Sequence, residues 1–379
     1  MRDFRSYTGV DLSFDPGVSV LVGANGQGKT NVLEALYYLA TLSSHRVATD
    51  GPLVRAGASR ATVAARLHDG DRSLSLDLEI TPGSANKARV NRSPVRTVRE
   101  VLGLLRVVLF APEDLGVVKG DPAQRRRFLD GLLVQRRPRL AGVCADYDRV
   151  LKQRTALLRS AAQVRRQGRR ASVDLTTLEV WDGHLARAGA ELVAGRVELV
   201  GELAPRVGQA YAGLAPGGEP VRADYASTVG TYGVDQDRCT AAGSDVGAWQ
   251  ELLAEALGRA RPAELDRGQC LVGPHRDDLT MSLGPLPARG YASQGESWSL
   301  ALALRLASFD LLAHESSSAP VLMLDDVFAE LDARRRDHLV ERVADADQVL
   351  VTAAVADDVP DALAGVRYRV AEGQVRRDD

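Results

Sequence analysis

Lysine is scarce in this chain. Only Lys29, Lys87, Lys119 and Lys152 contribute to its 48 basic side chains, and the rest are arginine. That skew looks like the bias of a GC-rich genome, so an arginine cluster carries less functional weight here than it would elsewhere. Cysteine is scarce too. Cys144, Cys239 and Cys270 are scattered and odd in number, which excludes a disulfide framework and a cysteine metal cluster. No apolar run approaches the ~18–20 residues of a membrane helix. The opening Met1-Arg2-Asp3-Phe4-Arg5 puts charge where a secretory segment is apolar. Both absences point to a cytoplasmic protein with no membrane contact. No His, Cys or carboxylate spacing resembles a zinc site, and no Ser-His-Asp order can be argued. Lone histidines such as His45 and His275 are more often structural than catalytic. A net charge of −2 excludes a generic polyanion binder.

What is present begins with Gly23-Ala24-Asn25-Gly26-Gln27-Gly28-Lys29-Thr30, which fits G-x-x-x-x-G-K-[ST] at every fixed position. The glycines let backbone N–H groups curl around a β-phosphate. Lys29 supplies charge between β- and γ-phosphates, and Thr30 offers a hydroxyl to Mg²⁺. The context is right. Val18–Val22 reads as a strand, and Val32, Leu33, Leu36 and Leu39 fall at helical spacing after the loop. Almost 300 positions on, the apolar run 321–324 ends in Asp325 and Asp326. Asp325 stands where a Walker-B carboxylate holds the magnesium shell, and Asp326 is placed to orient or deprotonate the attacking water.

At 379 residues the chain is long enough for two or three domains. Its pattern is α/β, then mostly helical, then α/β again. Residues 9–22 read as two strands joined at Asp15-Pro16-Gly17. Residues 61–81 read as paired strands, and 107–110 as a buried strand ended by Pro112. Helical character runs from Asp121 to Leu214, punctuated by Pro138, Gly168 and Pro205. A strand is expected over 221–229, a helix over 248–259, strands at 271–272 and 279–283, and a helix over 296–313. The strand at 321–324, a helix from Ala333 and a strand at 349–351 follow. The insert's helices are at most ~40 residues, or ~60 Å, and lack the unbroken heptads of a coiled-coil arm. The expected division is a head (1–118 and 271–379) carrying a compact helical insert (119–270). From Lys119 to Arg170 there are 13 Arg and 2 Lys against 4 Asp and no Glu. That band is a candidate phosphate contact, with Arg165, Arg166, Arg169 and Arg170 as its test sites. A solvated helical face explains it equally well.

Two further stretches have two readings each. Ser293-Gln294-Gly295-Glu296 is a capping box at a helix start. It also resembles the signature loop of ABC-type ATPases, where serine hydroxyl, glycine N–H and helix end meet a γ-phosphate bound by another protomer. Asp332 is a helix N-cap, and Glu330-Leu331-Asp332 lies at the offset of that class's D-loop.

Several stretches together resemble the RecF family, ATPases related to SMC heads, over nearly the whole chain. The most specific is Pro112-Glu113-Asp114 through Gly120-Asp121-Pro122, Arg125-Arg126 and Phe128-Leu129-Asp130. Leu324-Asp325-Asp326-Val327-Phe328-Ala329-Glu330-Leu331-Asp332, with Arg335 and Leu339 beyond, is similar to the family pattern as well. So are Asp3-Phe4-Arg5-Ser6-Tyr7, Gly28-Lys29-Thr30-Asn31 and Gly273-Pro274-His275-Arg276-Asp277-Asp278. The resemblance implies an ABC/SMC-type P-loop head with an inserted helical lobe. It implies an ATP- and Mg²⁺-dependent clamp that dimerises on duplex DNA, acts at gapped DNA with RecO and RecR in repair and the SOS response, and hydrolyses ATP weakly. It adds Arg5 and Asn31 to the nucleotide-binding residues. Rival readings are an ATPase subunit of another ABC class and an ATP-binding scaffold without turnover. Three departures stand out. The family's strand leading into Asp-Phe-Arg is expected to be missing, because Met1 lies two residues before Asp3. No Gln occupies the Q-loop position near Phe110–Asp114. Thr352 stands where ABC transporters carry a switch histidine, which implies slow hydrolysis.

Overall fold

The computed structural model describes residues 1–166, 175–315, 319–344, 346–363 and 365–378. The chain separates into two compact units. The first comprises Met1–Lys119, Arg206–Val221 and Tyr291–Asp379; the second comprises Gly120–Pro205 and Arg222–Gly290. Against the expected boundary at 270/271, the second unit continues to Gly290, because the strand Asp278–Leu283 shares a sheet with Val221–Ala226 and Leu286–Pro287.

The first unit contains two six-stranded sheets. One orders Gln374–Arg377, Val366–Ala371, Gly17–Val22, Gln348–Ala353, Val321–Asp325 and Val107–Phe110. All its pairings are parallel except the antiparallel edge formed by the last hairpin of the chain. Its central strands are apolar almost without interruption because both faces are covered. The helix Lys29–Thr41 packs Val32, Leu33 and Leu39 into one core with Leu21, Met323 and Leu350. The helix Gln294–His314, buried on most of its circumference, packs on Val107–Phe110. The other sheet is antiparallel and runs Tyr7–Gly9, Arg2–Phe4, Ala61–Asp69, Arg72–Ile80, Lys87–Val90 and Ser93–Pro94. Its alternating Leu76, Leu78 and Ile80 face the same core.

The second unit is built mainly from the helices Pro122–Arg136, Leu140–Arg166 and Val246–Arg267 and most of Leu175–Leu214. Pro205, expected to punctuate a helix, does not, and a second proline also sits inside one. Pro205 lies inside Leu175–Leu214, and Pro262 lies inside Val246–Arg267. An interior proline costs about 3 kcal/mol, but Leu199, Val200, Leu203 and Val207 around Pro205 are all buried. Their burial outweighs that cost.

The strand pattern also departs from expectation. Arg2–Phe4 is itself a strand, pairing with Tyr7–Gly9 and with Thr62, so Asp3 and Phe4 of the motif lie in the sheet. Residues 10–14 are not a strand. Val10, Leu12 and Phe14 pack against the core without a ladder. Leu271-Val272 is likewise irregular. Among the described residues, no helix is long and apolar enough to cross a membrane.

Candidate nucleotide site

The loop Gly23–Gly28 leaves the strand Gly17–Val22 and opens the helix Lys29–Thr41. Each of three glycines has a distinct reason. A Cβ on Gly23 would lie 2.2 Å from the Val370 carbonyl oxygen. Gly26 and Gly28 hold φ of 82° and 105°, and a Cβ on Gly28 would also meet the Tyr7 hydroxyl at 2.9 Å. No side chain caps this helix, so its first amides remain available to an anion. The Lys29 side chain is buried, and its ammonium donates to the Gly23 carbonyl at 2.8 Å. Gln27 accepts the Glu372 amide at 2.7 Å, which ties the loop to the C-terminal hairpin.

Parallel pairing sets Asp325 beside Thr352. Asp325 Oδ1 accepts hydroxyl hydrogen bonds from Thr30 at 3.0 Å and Thr352 at 2.7 Å. Both hydroxyls use the same oxygen, and among the described residues no hydrogen bond reaches Oδ2. Burial pushes the Asp325 carboxyl up to about 6, hydrogen bonds from the two threonines oppose this, and the charges of Asp326 and Glu113 add to it. A buried carboxylate oxygen and a threonine hydroxyl form a hard-oxygen donor set, which fits Mg²⁺. Asp326 follows in a left-handed conformation (φ 50°), and its amide donates to Thr352 at 2.9 Å. A non-glycine residue held there stores strain of about 1–2 kcal/mol. At the Q-loop position, Asp114 pairs with Arg305 at 2.5 Å.

Arg5 and Asn31 lie beside the first turn of the same helix. Arg5 grips the fully buried Glu34 at 2.7 and 2.5 Å and donates to the Pro52 carbonyl at 3.0 Å. Asn31 donates to Ser6 and accepts from Arg46, both at 3.0 Å. Burial would raise the Glu34 carboxyl, but hydrogen bonds from Arg5 and Ser44 and the charges of Arg5 and Arg46 hold it below the usual range. Glu34, Arg46 and the Thr352 hydroxyl escape sequence reasoning. Only the parallel register reveals Thr352, and nothing in the pattern marks the other two.

The Ser293 and Asp332 segments form a second cluster. Ser293 and Glu296 make a reciprocal capping box, at 3.3 Å from the Glu296 amide to the Ser293 hydroxyl and 2.8 Å from the Ser293 amide to the Glu296 carboxylate. Asp332 caps the helix Ala333–Val343 through the Arg335 amide at 3.0 Å. Arg335 links these two helix starts. Its guanidinium bonds Asp332 and, at 2.8 Å, the Ser299 hydroxyl. A Cβ on Gly295 would stand 2.9 Å from Arg335 Nη2, so a side chain there would displace the guanidinium. Among the described residues, no hydrogen bond joins Ser293, Gly295 or Asp332 to the Lys29–Thr30–Asp325 cluster of the same chain.

His275 is held within the second unit. It accepts from or donates to the Tyr147 hydroxyl at 2.6 Å and lies 3.3 Å from the Cys270 carbonyl. Around it two separate motifs meet. Arg125 grips Asp278 at 2.7 and 2.8 Å, Arg126 donates to the Asp277 carbonyl at 2.8 Å, and the Asp277 carboxylate accepts from Tyr225 and Thr228. His45 stacks edge-on against Tyr37.

Part of the basic band resolves into ion pairs. Arg136 meets Glu202 at 2.7 Å, Arg137 meets Glu198 at 2.5 Å, Arg149 meets Asp146 at 2.8 Å and Arg165 meets Asp266 at 3.0 Å. The fully buried Arg154 joins Asp182 and Glu264, both at 2.6 Å. Carboxylates from distant segments answer Arg136, Arg137, Arg154 and Arg165, and Asp146 answers Arg149 locally. Arg169, Arg170 and the Arg166 side chain lie outside the described residues.

The family model described as RecF/RecN/SMC N terminal domain matches residues 1–376. A DNA replication and repair protein RecF from Streptomyces avermitilis is 57% identical over 377 residues, covering 100% of this chain and 98% of that protein. One from Frankia alni is 59% identical over 375 residues, covering 99% and 97%. A solved structure of the recombination mediator protein RecF with ATP, in the RecFOR pathway, superposes with a TM-score of 0.86 at 25% identity, covering 100% of this chain and 95% of the other. An Smc head domain from Pyrococcus furiosus shares the fold at 18% identity and a TM-score of 0.52, over 100% of this chain and 94% of that one.

Proposed function

This chain belongs to the RecF family of DNA replication and repair proteins, and from that premise we propose that it is an ATP-dependent DNA clamp. In this reading it binds Mg-ATP, dimerises on duplex DNA around two shared nucleotide sites, and opens after slow hydrolysis. It acts at gapped DNA with RecO and RecR. The observation that carries the proposal is the convergence of Thr30, Asp325 and Thr352 at the uncapped start of the Lys29 helix.

The roles follow from chemistry. The backbone of Gly23–Gly28 and the Lys29 ammonium take the phosphates, with Ala24, Asn25 and Gln27 completing the loop. Thr30 and Asp325 hold the magnesium, which when bound neutralises charge on the phosphate oxygens. Arg5 and Asn31 keep the first helical turn in place through Glu34, Ser6 and Arg46. Asp326, fixed through its amide by Thr352, orients water. Ser293, Gly295 and Asp332 form no part of their own chain's phosphate cluster. They are assigned to the γ-phosphate held by the partner protomer, with Arg335 fixing their spacing. A nucleotide-binding scaffold without turnover would have the same phosphate loop. Single-turnover hydrolysis of radiolabelled ATP separates the two readings: loss of label to phosphate on a minutes-to-hours scale supports the clamp cycle, and none at all supports the scaffold.

A further inference from the structure

The thirteen residues from Lys87 to Arg99 hold five cations and no carboxylate. They form the hairpin of Lys87–Val90 and Ser93–Pro94 at one end of the antiparallel sheet and lead into the short turn Val98–Val101. Lys87, Arg89, Arg92, Arg96 and Arg99 are all exposed. Lys87 stands 3.9 Å from Glu79, and Asp77 lies opposite Arg89 in register. No ion pair forms at Arg89, Arg92, Arg96 or Arg99 among the described residues. The second unit behaves in the opposite way, since most of its described arginines are answered by carboxylates.

The hairpin tip adds an independent observation. Asn91 and Arg92 both have positive φ, 50° and 67°. A two-residue turn of that hand favours Asn followed by Gly. Asn91 fits, and it closes the turn by taking the Ser75 amide on its side chain at 3.0 Å and donating its own amide to Ser75 at 2.8 Å. The glycine position is filled by Arg92, whose guanidinium makes no hydrogen bond among the described residues. A strained backbone therefore carries a cation that contributes nothing to the fold.

We propose that the Lys87–Arg99 hairpin is a phosphate-backbone contact for duplex DNA. Lys87 and Arg89, two residues apart on one strand, share a solvent face. Arg92 extends from the tip, and Arg96 and Arg99 follow in the next segment. The five cations come with no aromatic side chain between them, which suits phosphates rather than splayed bases. Binding at this surface is sequence-independent and falls steeply with salt, because each contact releases counterions. The proposal rests on the DNA-clamp reading and names the surface that reading lacks.

The test is fluorescence anisotropy of a labelled duplex, with Mg-ATP present, over a salt series. The variant Arg89→Ala/Arg92→Ala/Arg96→Ala/Arg99→Ala is expected to bind at least about tenfold more weakly at low salt. Its log K against log salt slope becomes shallower by about 3, near the 0.9 per phosphate contact of duplex DNA. Its affinity for a fluorescent ATP analogue stays at the wild-type value. Arg92→Gly separates charge from folding: it relieves the left-handed strain and raises the melting temperature, yet weakens DNA binding. Wild-type affinity and slope in the fourfold variant overturn the surface. Wild-type binding by Arg92→Gly overturns the part assigned to the tip. Absence of salt-dependent duplex binding in the unmodified protein overturns the DNA reading together with the surface, a result distinct from either of the others.

Discussion

The Thr352 hydroxyl donates to the Asp325 carboxylate at 2.7 Å and accepts the Asp326 backbone amide at 2.9 Å, so one side chain holds both residues at the end of their strand. Thr352→Val keeps the shape and removes both bonds. The Asp326 N–H loses its partner, and the expected destabilisation is about 1–3 kcal/mol. ATP affinity should stay within a few-fold, while turnover falls roughly 10- to 100-fold through misplacement of Asp326. Urea unfolding and single-turnover hydrolysis check the two halves. Unchanged turnover would make Thr352 a framework residue only.

Lys29→Ala removes the one ammonium in the phosphate loop. Its partner in the protein is a backbone carbonyl, 2.8 Å away, so the fold should survive the change. Affinity for Mg-ATP should fall at least about 100-fold, as for a charged group lost from a phosphate cradle. Equilibrium titration with a fluorescent ATP analogue reads this directly.

Acid should weaken the fold through its half-buried histidines His275 and His45. Burial lowers His275 to about 4, the Cys270 carbonyl opposes this, and nearby arginine charges add to it. Burial also lowers His45 to about 4. A depressed folded-state pKa gives stability that is present above the unfolded value of ~6.5 and is lost as pH falls toward 4. Each group contributes about 3 kcal/mol over that window. Urea midpoints measured from pH 7 to pH 4 should fall, and His275→Gln should show a shallower fall. Equal pH dependence in variant and wild type would rule out His275 as a source.

Arg154 is the cation on which the insert's core depends. Arg154→Ala leaves the buried Glu264 without its guanidinium, while Asp182 keeps Arg261 at 2.9 Å, and should cost about 3–5 kcal/mol. Arg165→Glu, at an exposed pair, should cost no more than about 1 kcal/mol. Chemical denaturation of the two variants gives the comparison.

Much of the head is legible in the sequence. A glycine loop between a strand and a helix has few physical alternatives, and an apolar strand ending in Asp325-Asp326 repeats the logic one strand further across the sheet. What the sequence hides is contact over long separations. The arginines of the insert look like a free basic band until Glu198, Glu202 and Glu264 are folded onto them. Thr352 reads as a missing histidine until the strand register sets it against Asp325. Pro205 reads as a break because local propensity sees its missing N–H and not the buried leucines around it.

Asp326→Asn should test the release step. The change keeps the size and the amide bond to Thr352 but removes the charge that orients water. Hydrolysis should slow by roughly 100-fold or more, and the ATP-bound dimer should persist correspondingly longer. Wild-type turnover would assign water positioning to another group.

The central claim is a nucleotide site shared between two copies, and sedimentation velocity of Ser293→Arg beside the wild type tests it most directly. Among the described residues, the Ser293 hydroxyl serves its own chain as a helix cap, worth about 1 kcal/mol. The account predicts that Mg-ATP converts the wild-type chain from monomer to dimer. It predicts that Ser293→Arg binds ATP with nearly unchanged affinity yet sediments as a monomer at every ATP concentration. A Ser293→Arg chain that dimerises with ATP like the wild type would contradict it and leave Ser293 as a cap alone.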